Sequence, residues 1–426
     1  MTAITKHLAV ILLAATIFSC KKNADDIIEP AVPKPIITEH GKTIGVITEQ
    51  TIGATGGTLQ TDDGRLMLNI PAGAIDHDIA FSVQEVESTV GLSGVGKSYR
   101  LLPENVTFKN DIELIFYVPD SVLANSGTNL YALRFVYQDS KGGWHVPNGS
   151  ALGSNPNEIT IKTKHFSDWT LSSIARIVNK GKDRLLPGES TELQAIVTPP
   201  GKPDNDDLLE PTLEEPVYWD DVPDGYGTLT KNKEKATYKA PATIEEPVKI
   251  SISARFRDDL VQMPPGTGKF SVYTNIQLLP DTYILWQPDT HSYQASGTNL
   301  VGEWGTTSDG RTAFVINATD GIVSPKTVSI VLDNASVGVH PFEAESTQRQ
   351  SKVMVYFVDS HYTSIDYSCI PTTPPSTQGA IVITKKDEVY LEGFVEGKLK
   401  NSTKPCYNQD YIPFKAQFRI KRSKNG

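Results

Sequence analysis

The residues of this chain that could do chemistry are few and stand far apart. In KTKHFSDWTL, residues 162–171, an imidazole and a hydroxyl flank a phenylalanine within a strand-like run. His165 is a base in kind and Ser167 a nucleophile in kind, so His165, Phe166 and Ser167 either do chemistry or only end a strand. The thiols are Cys20, Cys369 and Cys406. The eight histidines are scattered, and none falls in a metal-ligand spacing such as HExxH, so no metal centre and no cofactor is expected. PDNDDLLE, from Pro203 to Glu210, lines up carboxylates that could hold calcium. It lacks the fixed spacing and the glycine of a calcium loop and reads as a solvated loop. Asp62-Asp63 and Asp220-Asp221 stand where turns need them, and GLSGVG at Gly91 to Gly96 lacks the context of a phosphate loop. Tyr283, Trp286, Tyr293 and Trp304 would form a sugar-stacking platform if exposed together, and are core aromatics otherwise. No enzyme acting on an external substrate is expected from this inventory.

The elements that must position these groups are strands. The 426 residues are too many for one ordinary core and suggest about three domains. Short runs rich in Thr, Val, Ile and Tyr are broken by Gly, Pro, Asn and Asp, with 32 Gly and 28 Pro in all, which predicts an all-β protein. The net charge of −10 argues against nucleic acid as a partner, since phosphate contacts need clustered Lys and Arg. The locally basic KRSKNG at the C-terminus reads as a solvated tail.

The N-terminus carries an address. Lys6 and His7 precede an apolar run from Leu8 to Phe18, too short for a mature membrane span and right for a signal-peptide core. IFSC at Ile17 to Cys20 resembles the lipobox of bacterial lipoproteins, which implies a signal peptide over residues 1–19 and an acylated Cys20 as membrane anchor. Residues 20–42 then read as a flexible tether. Lys21, Lys22, Asp25 and Asp26 resemble the export signal of surface lipoproteins in the Bacteroidota, so an outer-membrane and surface-exposed location is expected. Outside the cytoplasm a disulfide can persist, and Cys369 with Cys406 is the pairing expected. It would close a loop of about 37 residues and stabilise the fold by roughly 4 kcal/mol. Two free buried thiols are the alternative.

Residues 43–175 hold the most recognisable pattern. GATGGTLQTDDGRLMLNIPAGAI, from Gly53 to Ile75, sets a Gly-Gly turn before a strand, then a DDG turn, then Leu66, Leu68 and Ile70 on one face. Together with YRLLPENVTFKNDIELIFYVP and GGWHVP, this segment resembles the ZU-five domain, the β-sandwich of ankyrins, netrin receptors and zonula-occludens proteins. Some members of that family cut themselves at an HFS sequence. Carried over, the resemblance implies Ser167 as nucleophile, the Phe166–Ser167 peptide as the scissile bond, and His165 as base or polarising group. The same triplet also serves as a plain strand end with Phe buried.

Residues 176–274 resemble a bacterial immunoglobulin-like module. Leu193, Ala195 and Val197 alternate, Trp219 is the expected core tryptophan, Gly225 and Gly227 flank an expected hairpin, and Tyr238, Ala240 and Pro241 match a TYxAP ending. Residues 275–426 resemble a C-terminal β domain of Bacteroidota lipoproteins through Gly393, Phe394 and Gly397, with Ala416 where a glycine is expected. The fold expected is therefore all-β, with tandem β-sandwich domains behind a lipoprotein signal peptide and tether. The function expected is a membrane-anchored, non-enzymatic binding or structural module with a protein or glycan ligand. The alternatives are a protein self-cleaved between Phe166 and Ser167, and a glycan-binding surface lipoprotein.

Overall fold

A computed structural model describes residues 33–198, 206–212, 217–256, 271–306, 312–321, 324–343, 351–366, 375–405 and 410–422. The protein is all-β. Among the described residues the one α-helix is the short Asp120–Ser126, and no helix is long and apolar enough to cross a membrane.

Two sheets build the N-terminal part. One takes its strands in the spatial order Thr48–Ile52, Ile79–Val86, Gly94–Leu102, Asp168–Ser173, Leu133–Gln138 and Trp144–His145. The other runs Gly57–Gln60, Leu66–Ile70, Thr107–Tyr117, Glu158–His165 and Ala151–Leu152. The expected DDG hairpin pairs Gly57 with Ile70 and Gln60 with Met67. Alternation buries Leu66, Leu68 and Ile70, and both sheets send such residues into one shared cluster that includes Phe81, Phe108, Phe135, Ile161 and Trp169.

Two four-stranded sheets follow and share a second cluster. Ser190–Val197 and Lys235–Lys239 lie in one sheet, and Val248–Arg255 and Ser271–Leu278 in the other. Trp219 is buried as expected, and its indole donates to the Lys233 carbonyl at 2.9 Å. The Gly225 and Gly227 segment is not a hairpin turn. It carries the chain from Tyr218–Trp219 in one sheet to Thr228–Asn232 in the other, and the hairpin lies after it, where Thr228–Asn232 pairs Lys235–Lys239. Gly127, at the C-terminal end of the helix, fastens this region to the first. Its left-handed φ of 65° suits glycine, its carbonyl accepts from Tyr273 N at 2.9 Å, and a Cβ there would overlap the Tyr273 carbonyl oxygen.

The C-terminal region departs from a pair of stacked sheets. One sheet of 11 strands wraps almost into a barrel, from Tyr293–Ser296 at one edge to Leu300–Thr306 at the other, with a branch through Gly338–Pro341 and Gly379–Lys386. A Cβ on Gly302 would collide with the Ile420 side chain, so that edge strand lies against the Tyr411–Lys421 strand across the closing gap. The interior is filled by Trp286, Phe314, Val353, Leu391, Phe414 and Phe418.

The glycines that carried the family resemblance have a packing reason. A Cβ on Gly397 would sit 2.5 Å from the Phe342 ring, 2.7 Å from the Gln378 carbonyl and 2.7 Å from the Gly379 Cα. Two of those neighbours are backbone and cannot yield. Gly397→Ala is expected to lower unfolding stability by about 1–3 kcal/mol, the usual cost of overpacking, read as a lower urea midpoint at unchanged slope. An unchanged midpoint would show that the strands are not this close.

Candidate functional site

The HFS triplet is where the chain crosses from one N-terminal sheet to the other. Glu158–His165 ends in one sheet, Asp168–Ser173 begins in the other, and a register shift between Thr163 and His165 loosens the ladder just before the crossing. Phe166 is 3% exposed and lies in the layer between the sheets, with its ring 5.4 Å from Phe81 of one sheet and 5.2 Å from Phe108 of the other, two rings that also touch each other at 5.9 Å. The buried Ser167 hydroxyl donates to the Gln138 carbonyl, and its own carbonyl accepts from Leu101 N at 3.1 Å. His165 lies with its ring 5.5 Å from Trp169 and 4.7 Å from Tyr137. Its Nδ1 is 3.4 Å from the Phe166 carbonyl oxygen, at the long limit for a hydrogen bond. The carbonyl that would be attacked thus has a weak polarising neighbour, and the hydroxyl that would attack it is engaged elsewhere.

The next residue anchors the crossing. Asp168 is 1% exposed and takes both Nε and Nη2 of Arg100 at 2.7 Å, with His40 Nδ1 at 3.0 Å. The Asp168 hydrogen bond is the main reason the Arg100 guanidinium is held above its ordinary pKa. His40 belongs to the stretch read from the sequence as tether. Residues 36–43 lie along the first sheet instead. Thr38 Oγ1 accepts from the Trp144 indole at 2.9 Å and from Gln138 Nε2 at 3.0 Å, and Gly41 O accepts from Arg100 at 3.1 Å.

Cys20, Cys369 and Cys406 lie outside the described residues. The chain flanking the last two does converge. The buried Lys400 ammonium is 3.8 Å from an Asp366 carboxylate oxygen and donates to the Pro405 carbonyl at 3.1 Å.

The four aromatics do not form one exposed platform. Trp286 and Tyr283 are buried in the wrapped sheet, and Trp304 packs edge-on against Phe314 at 5.6 Å. Trp286 and Tyr293 instead line an open cleft of about 730 Å³ between the middle region and the wrapped sheet. Half-exposed Phe394 joins them, with Arg184 and Gln277 from the middle region and Gln287, Gln294, Asp320, Glu396, Lys415 and Gln417 from the other side. Sequence reasoning missed most of this lining, because it comes from strands more than a hundred residues apart along the chain.

A second gathering was also missed. The acidic segment read as a solvated loop is described from Asp206 onward, and there it runs along Trp144–His145: Asp207 bridges His145, and Leu208 N donates to the Trp144 carbonyl at 2.7 Å. Asp206 and Asp207 thereby reach the His145 ring, 61 residues distant from Asp206 in sequence. Tyr137 stacks on that ring at 4.9 Å and donates to Asp206 at 3.2 Å. Burial, reinforced by the Asp206 charge, pushes the Tyr137 hydroxyl up to about 12, so it remains a donor.

Compared with protein-family models and with curated proteins, the chain matches none.

Removing the carboxylate at the crossing tests its structural weight. Asp168→Ala leaves Arg100 without its buried partner and is expected to cost about 2–4 kcal/mol of unfolding stability, measured by urea denaturation. A loss under about 0.5 kcal/mol would mean that the sheets hold together without it.

Proposed function

We propose that the protein is a lipoprotein of the bacterial cell envelope, anchored through an acylated Cys20, and that it works as a non-enzymatic binding module. The cleft between the middle region and the wrapped sheet is the observation that carries the binding role. It falls within the size range of small-ligand sites, and Tyr293 and Phe394 offer apolar faces among amide and charged groups. Aromatic faces beside amides and carboxylates suit a glycan, whose C–H faces stack while its hydroxyls hydrogen-bond. The lipobox resemblance supports the anchor, and the ZU-five and immunoglobulin-like resemblances support a stalk of β-sandwiches beneath the ligand-holding region.

One preparation tests anchor and cleft separately. Cells fed a palmitate analogue should label the native protein and not Cys20→Ser, and the variant should leave the membrane fraction. Native protein released in detergent should bind members of a glycan array, and Tyr293→Ala with Phe394→Ala should lower that binding about tenfold. These are better probes than Trp286, whose loss would empty the core. Labelling of Cys20→Ser would remove the anchor reading, and an array signal indifferent to the cleft variants would remove the glycan reading.

The self-processing alternative rests on the one long contact from His165 to the Phe166 carbonyl. The Ser167 hydroxyl, committed to the Gln138 carbonyl, weighs against it. On a denaturing gel, native protein and Ser167→Ala should both run at full length; a native protein split after Phe166, with the variant intact, would establish cleavage. The convergence of chain at Lys400 supports the Cys369–Cys406 bridge. The same gel without reductant should therefore show faster migration than with it, and equal mobility would leave the thiols unpaired.

A further inference from the structure

We propose that His145, Asp206 and Asp207 bind a divalent first-row metal ion of the zinc class, and that this ion fastens the segment beginning at Asp206 to the edge of the first sheet. The site is separate from the cleft, and its test is independent of the glycan reading.

The imidazole is set among carboxylates on both sides. Its Nδ1 lies 3.0 Å from Asp206 Oδ1 and 3.3 Å from Asp207 Oδ1, and its Nε2 lies 3.2 Å from Asp139 Oδ2. A neutral imidazole has one N–H and one lone pair, so it cannot donate on both sides. With a metal on Nδ1, Asp139 is placed to accept the remaining proton from Nε2. Its Oδ1 is already occupied by the backbone N–H groups of Lys141 and Gly143, both at 2.8 Å, which orients Oδ2 to accept from Nε2–H. The Nδ1 lone pair then faces two carboxylate oxygens. A metal ion between the three donors would take that lone pair and both carboxylate oxygens, and a second proton on the imidazole is the competing way to balance the same charges.

The surroundings supply the parts that a metal site needs. Around a tetrahedral ion with bonds of about 2.0–2.2 Å, neighbouring ligand atoms lie about 3.3–3.5 Å apart; the contact to Asp207 at 3.3 Å matches this, and the contact to Asp206 at 3.0 Å would have to lengthen slightly. One ligand atom from each of the three residues lies within 4.8 Å of the others. A carboxylate on the far nitrogen of a ligating histidine fixes its tautomer, which is the position of Asp139. Asp206 is held in turn by the Tyr137 hydroxyl on its second oxygen, and the Tyr137 ring lies 20° from parallel to the imidazole. The His145 ring is largely buried, Asp207 is partly so, and Asp206 is exposed, the side from which water could complete the ion's coordination. One nitrogen with two carboxylates selects a zinc-like ion over calcium, which takes six to eight oxygens.

The full-length protein, stripped with a chelator and dialysed against Zn²⁺, Mn²⁺ or Ca²⁺ in turn, should retain about one zinc per chain by plasma mass spectrometry, with calcium bound at least tenfold more weakly. His145→Ala should abolish retention. Asp206→Asn combined with Asp207→Asn, which keeps side-chain shape, should do the same with an unchanged circular-dichroism spectrum. Asp139→Asn should weaken zinc binding about 10- to 100-fold, as loss of such a supporting carboxylate does. His77→Ala, at an exposed His–Asp pair elsewhere, should change nothing. Cobalt in place of zinc should give a visible ligand-field band that His145→Ala removes. The proposal is overturned if native protein retains no zinc, if His145→Ala retains as much, or if His145 remains protonated on both nitrogens in excess zinc by nitrogen NMR. The last result would mean that a proton, not a metal, neutralises the site.

Discussion

The first half of the molecule depends on one crossing, in which the chain leaves one sheet at His165 and enters the other at Asp168. Two opposite requirements meet within four residues. Phe166 must lie in the apolar layer between the sheets, where it touches an aromatic from each, and Asp168 must keep its charge while almost fully buried. A lone buried carboxylate would cost several kcal/mol, and the two-point contact from Arg100 offsets that cost. The pair also fixes register, because Asp168 is directly opposite Arg100 in the ladder. A shift by one residue would take Asp168 off its partner and Trp169 out of the core.

That crossing also ties down the segment before the first strand. His40 reaches Asp168, Gly41 accepts from Arg100, and Thr38 gathers the Trp144 indole and the Gln138 amide. With Cys20 as the anchor, about fifteen residues separate the lipid from the docked chain at Ile36. Even fully extended, a stretch of that length reaches no more than roughly 55 Å. On the proposed anchor this would hold the first pair of sheets near the membrane surface, with the cleft two regions further along the chain.

Much of the local structure was legible. Period-two alternation marked Leu66, Leu68 and Ile70 and again Leu193, Ala195 and Val197, and the DDG turn marked its hairpin, because these signals come from neighbours in sequence. Trp219 was expected in the core from the immunoglobulin-like resemblance, and it is buried. What alternation does not encode is the partner of each strand. A half-buried strand looks the same in two stacked sheets and in one wrapped sheet, so the 11-stranded closure was not legible, and Gly302 at the closing gap stands in an ordinary strand run. The docking of residues 36–41 was hidden because its contacts are isolated backbone bridges and single side chains, without a period. The meeting of His145 with Asp206 and Asp207 was hidden because ligand spacing is a local signature and these residues are brought together by a bridge across 61 positions.

The hairpin from Leu133 to His145 links the two places where chemistry was conceivable. Its Tyr137 has the His145 ring stacked on it and the His165 ring set edge-on to it, and the Gln138 carbonyl beside it takes the Ser167 hydroxyl. Anything that stiffens this hairpin, including an ion held at His145, keeps Gln138 in place and so keeps the serine oxygen turned to an acceptor rather than to its own preceding carbonyl. For Ser167 to attack, it would first have to break a buried hydrogen bond and leave the Gln138 carbonyl without that donor, a cost of about 1–3 kcal/mol before any bond to carbon forms. Phe166 adds to the barrier, since bending its peptide toward a tetrahedral centre would shift a ring packed against Phe81 and Phe108. The packing that makes HFS a sheet-to-sheet crossing therefore opposes its use as a cleavage site.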